Sequence, residues 1–233
     1  MANKNFSFRE VLGFGWQVMK SNLGFFIGLG FLYLIITNLA AIAQQIIEFL
    51  NIPQEFVVIS VILLEIFGAI ISIVVGIGLI KIALSFCDGI KPPIGTLFNG
   101  LDCFWRYLGT GILYGLIVLG GFLLLIIPGI IWSVKYSLCY YFVIDKGLGP
   151  LDALKASGRA TMGVKWQLFG FGIVCGLIVI LGLICLIIGV FAAYPTVLVA
   201  SALVYRQLMD QTPELAEFGI VCLAAESETE TTT

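Results

Sequence analysis

The feature that most constrains this chain is a series of long apolar runs almost free of charge. They lie at Leu23–Ala43, Phe56–Leu84, Leu108–Ile127, Gly129–Ile144, Gln167–Val190 and Tyr194–Arg206. A spanning helix needs about 20 mostly apolar residues to cross a hydrocarbon core about 30 Å thick. Composition points the same way. Of 233 residues, 60% are apolar and 11% are charged, against about 45–50% and about 25% in a soluble domain. Too few polar side chains remain to cover a water-facing surface. The expected fold class is an all-α integral membrane protein. A soluble enzyme, a nucleic-acid binder and a disordered chain are excluded.

The runs read as six transmembrane helices in one domain, residues 1–208. The first three and the fifth are long enough to span, while the fourth and sixth are short. The short ones arise because Pro128-Gly129 and Pro195 break two longer apolar stretches. Proline lacks a backbone donor and disfavours helix in the residue before it. Each break therefore reads as the tight turn of a helical hairpin, giving three hairpins. The competing reading is one long kinked helix at each site. At ~1.5 Å per residue, Leu108–Ile144 would far exceed the hydrocarbon core. A re-entrant short helix is the other alternative.

Basic residues are placed on one side of this arrangement. Lys4, Arg9 and Lys20 precede the first run, and Lys81, Lys91 and Arg106 lie at or beyond the end of the second. Lys146, Lys155, Arg159 and Lys165 follow the fourth, and Arg206 ends the sixth. The connectors 42–55 and 188–195, and the surroundings of Pro128, contain no Lys or Arg. Only Lys135 sits mid-run. The positive-inside rule then puts both termini in the cytoplasm, with the protein in the cell membrane. Met1–Ser7 is not followed at once by an apolar core or a small-residue cleavage site, so a cleavable signal peptide is not expected.

Each hairpin is preceded by an amphipathic segment, near residues 7–20, 93–106 and 150–163. In the first, Phe8, Val11, Leu12, Trp16 and Met19 recur at helical spacing, and Ser7-Phe8-Arg9-Glu10 fits a capping box. The second follows Pro92-Pro93 and carries Ile94, Leu97, Phe98, Leu101 and Trp105. The third opens on Pro150, with Asp152 in the first turn where the helix dipole suits an anion. Such helices lie naturally among lipid headgroups. The unit of amphipathic helix plus hairpin repeats three times. Residues 209–233 read as a flexible acidic cytoplasmic tail.

Few residues could carry chemistry. The chain has no histidine, the commonest general base and metal ligand. Its net charge of −2 offers no basic footprint for nucleic acid. The six cysteines show no CxxC or zinc-type spacing and read as buried small hydrophobes. No cofactor or metal is expected, and no nucleophile–base pair stands out. Ser137 lies two residues from Lys135 and so on another helix face.

Glu65 and Lys135 lie deep within apolar runs. Intramembrane ionisable groups are functional candidates by default. They read either as a relay pair in a pathway or as a buried structural pair, with Lys135 snorkelling as a further option. Gly24…Gly28, Gly111…Gly115 and Gly172…Gly176 form GxxxG motifs that let helix backbones approach. Packing within the bundle is the plainer reading and homodimerisation the sharper one. Tyr and Trp residues near run ends form an aromatic belt, or, with the basic segments, a headgroup-recognising surface.

The second half resembles a prokaryotic group of multi-pass membrane proteins of unknown function. That group is related to the membrane domain of glycerophosphodiester phosphodiesterases. The likeness rests on Ile127-Pro128-Gly129-Ile130-Ile131, Pro150-Leu151-Asp152-Ala153-Leu154-Lys155-Ala156-Ser157 and Gly163-Val164-Lys165-Trp166-Gln167-Leu168-Phe169. Pro195 and Ala202-Leu203-Val204-Tyr205-Arg206 complete it. The resemblance implies topology and carries no catalytic residues across. The expected role is a non-enzymatic membrane scaffold or accessory protein. Its partners would be membrane lipids, a protein or a second copy. The alternative is a small transporter or channel using Glu65 and Lys135.

Overall fold

A computed structural model describes residues 4–49, 54–98, 100–184, 188–212 and 214–215. The acidic segment expected at the C-terminus lies almost wholly outside the described residues. Within them the secondary structure is helical: α1 Phe8–Ser21, α2 Leu23–Phe49, α3 Gln54–Cys87, α4 Phe104–Leu124, α5 Ile126–Lys135, α6 Cys139–Lys146, α7 Pro150–Ala160, α8 Lys165–Ile184 and α9 Ile188–Asp210. Among the described residues, five stretches are long and apolar enough to cross a membrane. The pair Phe8–Ser21 and Leu23–Ile35, bent by 87°, gives a sixth.

α1 forms where the apolar spacing places it. It buries Val11, Gly15 and Met19, positions i, i+4 and i+8 on one stripe, and that stripe packs on α9. Ser7 is the N-cap with extended backbone, but its hydroxyl makes no capping bond, so the expected capping box is not closed. Glu10 in the first turn and Lys20 in the last complement the helix dipole. Asn22 ends α1 by donating its side-chain amide to the Val18 carbonyl at 3.0 Å. The chain then bends into α2.

The amphipathic segment expected near 93–106 does not form a single helix. It becomes two 3-10 turns, Ile94–Phe98 and Leu101–Cys103, followed by the start of α4. The cause is close packing on α3. Leu97 is buried, and its backbone lies where a side chain on Gly78 would be. Gly100 approaches Ile77 and Val74 in the same way. A regular helix would lift this backbone off α3. The segments near 7–20 and 150–163 do form helices, α1 and α7. Pro150 stands at the start of α7 and Asp152 in its first turn.

Both proline breaks need correction. The chain turns at Leu125, whose backbone is extended (φ −167°, ψ 153°), not at Pro128-Gly129. Pro128 is taken into the first turn of α5, where N–H groups have no partner within the helix and proline loses nothing. Gly129 is used for contact: a side chain there would strike the Phe122 ring, and Gly121 lies against its backbone. Pro195 lies inside α9. The helix absorbs it, and the neighbouring Thr196 hydroxyl donates to the Ala192 carbonyl at 2.7 Å. Gly182 of α8 lies against Gly189 of α9, so the two helices already pack on each other ahead of the proline.

Burial divides the molecule. The ends of α3, α6, α7 and α9 are close-packed, with Ile82, Ala83, Cys139, Val143, Ala153, Ala156, Ala160, Val199, Ala202 and Tyr205 fully enclosed. The far ends are apolar and exposed. Leu123 is 80% exposed, and Leu124 to Ile127 are 69–71% exposed. A contiguous bare apolar surface of this kind suits lipid rather than water.

Candidate functional site

The constellation that matters is built around Lys135. It closes the last turn of α5, halfway along the apolar stretch Ile126–Lys146. α7 starts at Pro150 beside Gly109 of α4 and runs back until Gly158 meets the Lys135 side chain. A β-carbon on Gly158 would lie 3.1 Å from Lys135 Cε. Two hydroxyls of the α7 segment hold this junction. Ser157 donates to the Lys135 carbonyl at 3.0 Å, and the Thr161 hydroxyl lies within donating distance of the same oxygen at 3.0 Å and of the Ser157 carbonyl at 2.9 Å. Ser157 Oγ also accepts from the Leu138 N–H at 3.3 Å. Thus a helix-end carbonyl that α5 cannot satisfy is satisfied by α7.

The result is a groove of about 350 Å³ lined by Leu113, Ile117, Lys135, Tyr136, Leu151, Leu154, Lys155, Gly158, Arg159 and Met162. Its floor is apolar and three of its side chains are cationic. Lys135 Nζ stands 4.9 Å from the centre of the Tyr136 ring, a cation–π contact. Lys155 pairs with Asp152 at 3.2 Å on the exposed face. Lys4 reaches in from the N-terminal segment and donates to the Arg159 and Ala160 carbonyls at 3.2 and 3.3 Å. A cation there complements the C-terminal end of the α7 dipole. Burial pulls the Lys4 pKa down, and the Glu214 carboxylate acts against that shift.

A second polar junction lies where α3, α6 and α9 converge. The Arg206 guanidinium contacts Asp88 just beyond α3 at 2.8 Å and Asp145 of α6 at 2.9 Å. The Tyr205 hydroxyl donates to the other Asp145 oxygen at 2.9 Å. The Tyr205 ring stacks on Tyr141 and meets Phe142 edge-on. Arg106 of α4 donates to the Gly147 carbonyl. Gly147, with φ +64°, ends α6 in the left-handed conformation that favours glycine. The N-terminal segment is tied in as well. Asn5 N–H donates to Gln211 Oε1 at 2.9 Å, and Gln211 Nε2 returns a bond to the Asn5 carbonyl at 3.0 Å. Gln167 donates to Asn5 Oδ1 at 2.6 Å and to the Phe6 carbonyl.

A larger cavity, about 530 Å³, lies on the other side of α5, between it and α8 and α9. Hydroxyls of Tyr114, Ser133, Ser137, Tyr141 and Ser201 face it among apolar side chains. Several of these are occupied locally: Ser133 bonds the Ile130 carbonyl, Ser201 the Val197 carbonyl and Tyr114 the Ser133 carbonyl.

The residues singled out from sequence fare differently. Lys135 is half-buried and lines one groove together with Lys155 and Arg159. Glu65 is exposed on the midsection of α3. The GxxxG glycines do not pack the bundle as expected. Gly24, Gly28, Gly115, Gly172 and Gly176 have open space where a side chain would go, and Gly111 meets only the Tyr140 ring and hydroxyl. Close approach occurs elsewhere, at Gly15 against Thr196, Gly30 against Phe191, and Gly182 against Gly189. Asp88, Asp145 and Tyr205 were not foreseen as a unit. The available signal was one acid at the end of each of two apolar runs and a lone arginine at the end of a third.

Comparisons with protein-family models, curated proteins and solved structures return no match. Helix length and composition decide the class. The chain is a multi-pass helical membrane protein.

Proposed function

We propose that this multi-pass protein is a non-enzymatic membrane scaffold that acts through bound lipid or a protein partner. In this reading both termini face the cytoplasm. The apolar helices form three hairpins, and the amphipathic segments α1 and α7 lie at the cytoplasmic headgroup level. Its relatives would be the prokaryotic membrane group related to the membrane domain of glycerophosphodiester phosphodiesterases.

One observation supports this reading most. The Arg206 junction and the Asn5–Gln211–Gln167 clamp tie the ends of α3, α6 and α9, the start of α8 and the N-terminal segment into one block. Side-chain polarity is thereby spent on joining elements, and α1 and α7 are held against a rigid base. A scaffold needs such a base to present a surface.

Isolation from native membranes in mild detergent tests the proposal. A partner protein or lipid retained at fixed stoichiometry is the expected result. Solute or ion flux in proteoliposomes, abolished by Glu65→Gln, would replace this reading with transport through Glu65 and Lys135.

A further inference from the structure

We infer that the cavity between α5, α8 and α9 binds one uncharged lipid with hydroxyl groups at its head and a single acyl chain, the chemistry of a monoacylglycerol. This deepens the scaffold reading and rests on its placing of α7 at the cytoplasmic headgroup level.

The lining selects the head. Among the described residues it holds the hydroxyls of Tyr114, Ser133, Ser137, Tyr141 and Ser201 and no charged side chain. A charged headgroup would find no counter-ion there, and a lone charge among apolar helices is unfavourable. The hydroxyl protons are already committed. Ser133 donates to the Ile130 carbonyl at 2.8 Å, Ser137 to the Val134 carbonyl at 2.9 Å and Ser201 to the Val197 carbonyl at 2.8 Å. Tyr114 donates to the Ser133 carbonyl at 3.3 Å, and Tyr141 has Ser201 as its partner. A hydroxyl that has given its proton away still accepts through its lone pairs. The cavity therefore presents acceptors from α4, α5 and α9. A matching ligand brings several donors without charge, which means alcohol groups.

The mouth shows where the chain goes. Ser137, Gly172 and Ile173 line the cavity and are exposed. Gly172 and Gly176, one turn apart on α8, have open space where a side chain would stand. Their neighbours Ile173 and Leu177 are 50% and 59% exposed. The glycines thus form a shallow apolar groove that leads from the hydroxyls along α8, wide enough for one chain. The cavity volume of about 530 Å³ lies in the range of small-molecule sites and leaves room for a glycerol ester above that chain.

Depth and preformation agree. α8 starts at Lys165 beside the exposed Trp166. At ~1.5 Å per residue, Gly172 lies about 10 Å further along the axis. An uncharged head reaches that depth below the headgroups, whereas a phosphate there would be stripped of water. Phe171 of the cavity wall is held edge-on by Phe6 at 5.8 Å, so less ordering is required on binding.

The test uses the full chain in nanodiscs of phosphatidylcholine, a lipid without hydroxyl donors, and a monoacylglycerol with a diazirine in its chain. Photo-crosslinking should label α8 near residues 172–177. Unlabelled monooleoylglycerol should compete about tenfold or more better than its diacetate, which keeps the chain and loses both donors. Ser133→Ala with Ser201→Ala should weaken competition by monooleoylglycerol roughly twenty-five-fold, about fivefold for each bond lost, and leave the diacetate unchanged. If the double variant fails to fold, Ser133→Ala alone carries the test with about a fivefold loss. Ser85→Ala, whose hydroxyl bonds the Lys81 carbonyl in the same way on α3, should change nothing. Gly172→Leu fills the groove and should lower labelling about tenfold or more. Labelling away from α5 and α8 would overturn the inference. So would equal competition by monooleoylglycerol and its diacetate, or a preference kept by the folded serine variant. Competition by millimolar glycerol alone would assign the hydroxyls to a soluble polyol and remove the lipid. Flux abolished by Glu65→Gln, with the hydroxyl preference intact, would sink the scaffold reading and spare this site. A protein partner retained at fixed stoichiometry, with no hydroxyl preference, would do the reverse.

Discussion

Arg206 and Asp145 meet at 2.9 Å across α9 and α6, and the second Asp145 oxygen accepts from Tyr205, the residue beside Arg206. One carboxylate thus holds two consecutive side chains of one helix, and the same guanidinium also reaches Asp88. Breaking a buried pair by removing one partner costs about 3–5 kcal/mol. Asp145 is nearly enclosed, whereas Arg206 keeps 27% of its side chain exposed, so a loss of about 2–3 kcal/mol is expected for Asp145→Asn. Asp88, at 44% exposure, should contribute less than about 1 kcal/mol. Thermal unfolding in detergent, read by size-exclusion fluorescence, ranks the two. Equal effects would show that the junction is not organised around Asp145.

Ser157 and Thr161 share the Lys135 carbonyl, and both are fully buried. Ser157→Ala and Thr161→Val should each destabilise by about 0.5–1.5 kcal/mol, the net worth of one hydrogen bond. The double variant should lose more than the sum, since either hydroxyl alone still serves the carbonyl and only their joint removal leaves it without a donor. Additive losses in the same unfolding assay would contradict that coupling.

Glycine substitutions should separate two populations. At Gly182 a methyl would strike the Gly189 backbone, and at Gly15 the Thr196 carbonyl. Overpacking costs typically about 1–3 kcal/mol, so Gly182→Ala and Gly15→Ala should unfold earlier on heating. Gly24→Ala and Gly172→Ala have open space and should stay within about 0.5 kcal/mol of wild type. A reversed order would restore the GxxxG motifs as the packing determinants within one chain.

The N-terminal segment should loosen when its clamp is cut. Gln211→Ala removes both bonds to Asn5, each worth about 1 kcal/mol. Local opening ahead of α1 should rise about tenfold or more. Trypsin, which cleaves after Lys4 and Arg9, reports it as faster N-terminal clipping of the purified protein. An unchanged clipping rate would mean that Gln167 and the Lys4 bonds to the end of α7 hold the segment without Gln211.

What could be read from sequence follows from the range of each interaction. The apolar runs are local, and their lengths place α2, α3 and α4 well; α8 and α9 also form, but the boundary between them lies ahead of Pro195, inside the run read as Gln167–Val190. α1 and α7 are also local, through spacing in one and Pro150 with Asp152 in the other. The proline breaks were misplaced because proline marks where a helix tolerates a missing donor, and that includes the first turn of α5. Pro195 shows that a helix interior can hold one too. The 93–106 segment missed for a different reason: its conformation is dictated by contact with Gly78, on another element. The Lys135 groove was half legible. Lys135 was visible as an anomaly, but Lys155 and Arg159 reach it only because α7 folds back. Nothing in the spacing of Asp88, Asp145 and Arg206 announces that they meet.

The packing of α1 on α9 has a consequence for synthesis. Among the described residues α1 precedes every other helix, yet it packs on α9, and Asn5 awaits Gln211. Closing so long a loop is entropically slow, and Asp88 and Asp145 likewise wait for Arg206. The nascent protein therefore holds the apolar stripe of α1 uncovered until α9 has been made. Truncation before α9 should leave an N-terminal helix with a bare apolar stripe, which is what quality-control proteases and insertion chaperones recognise.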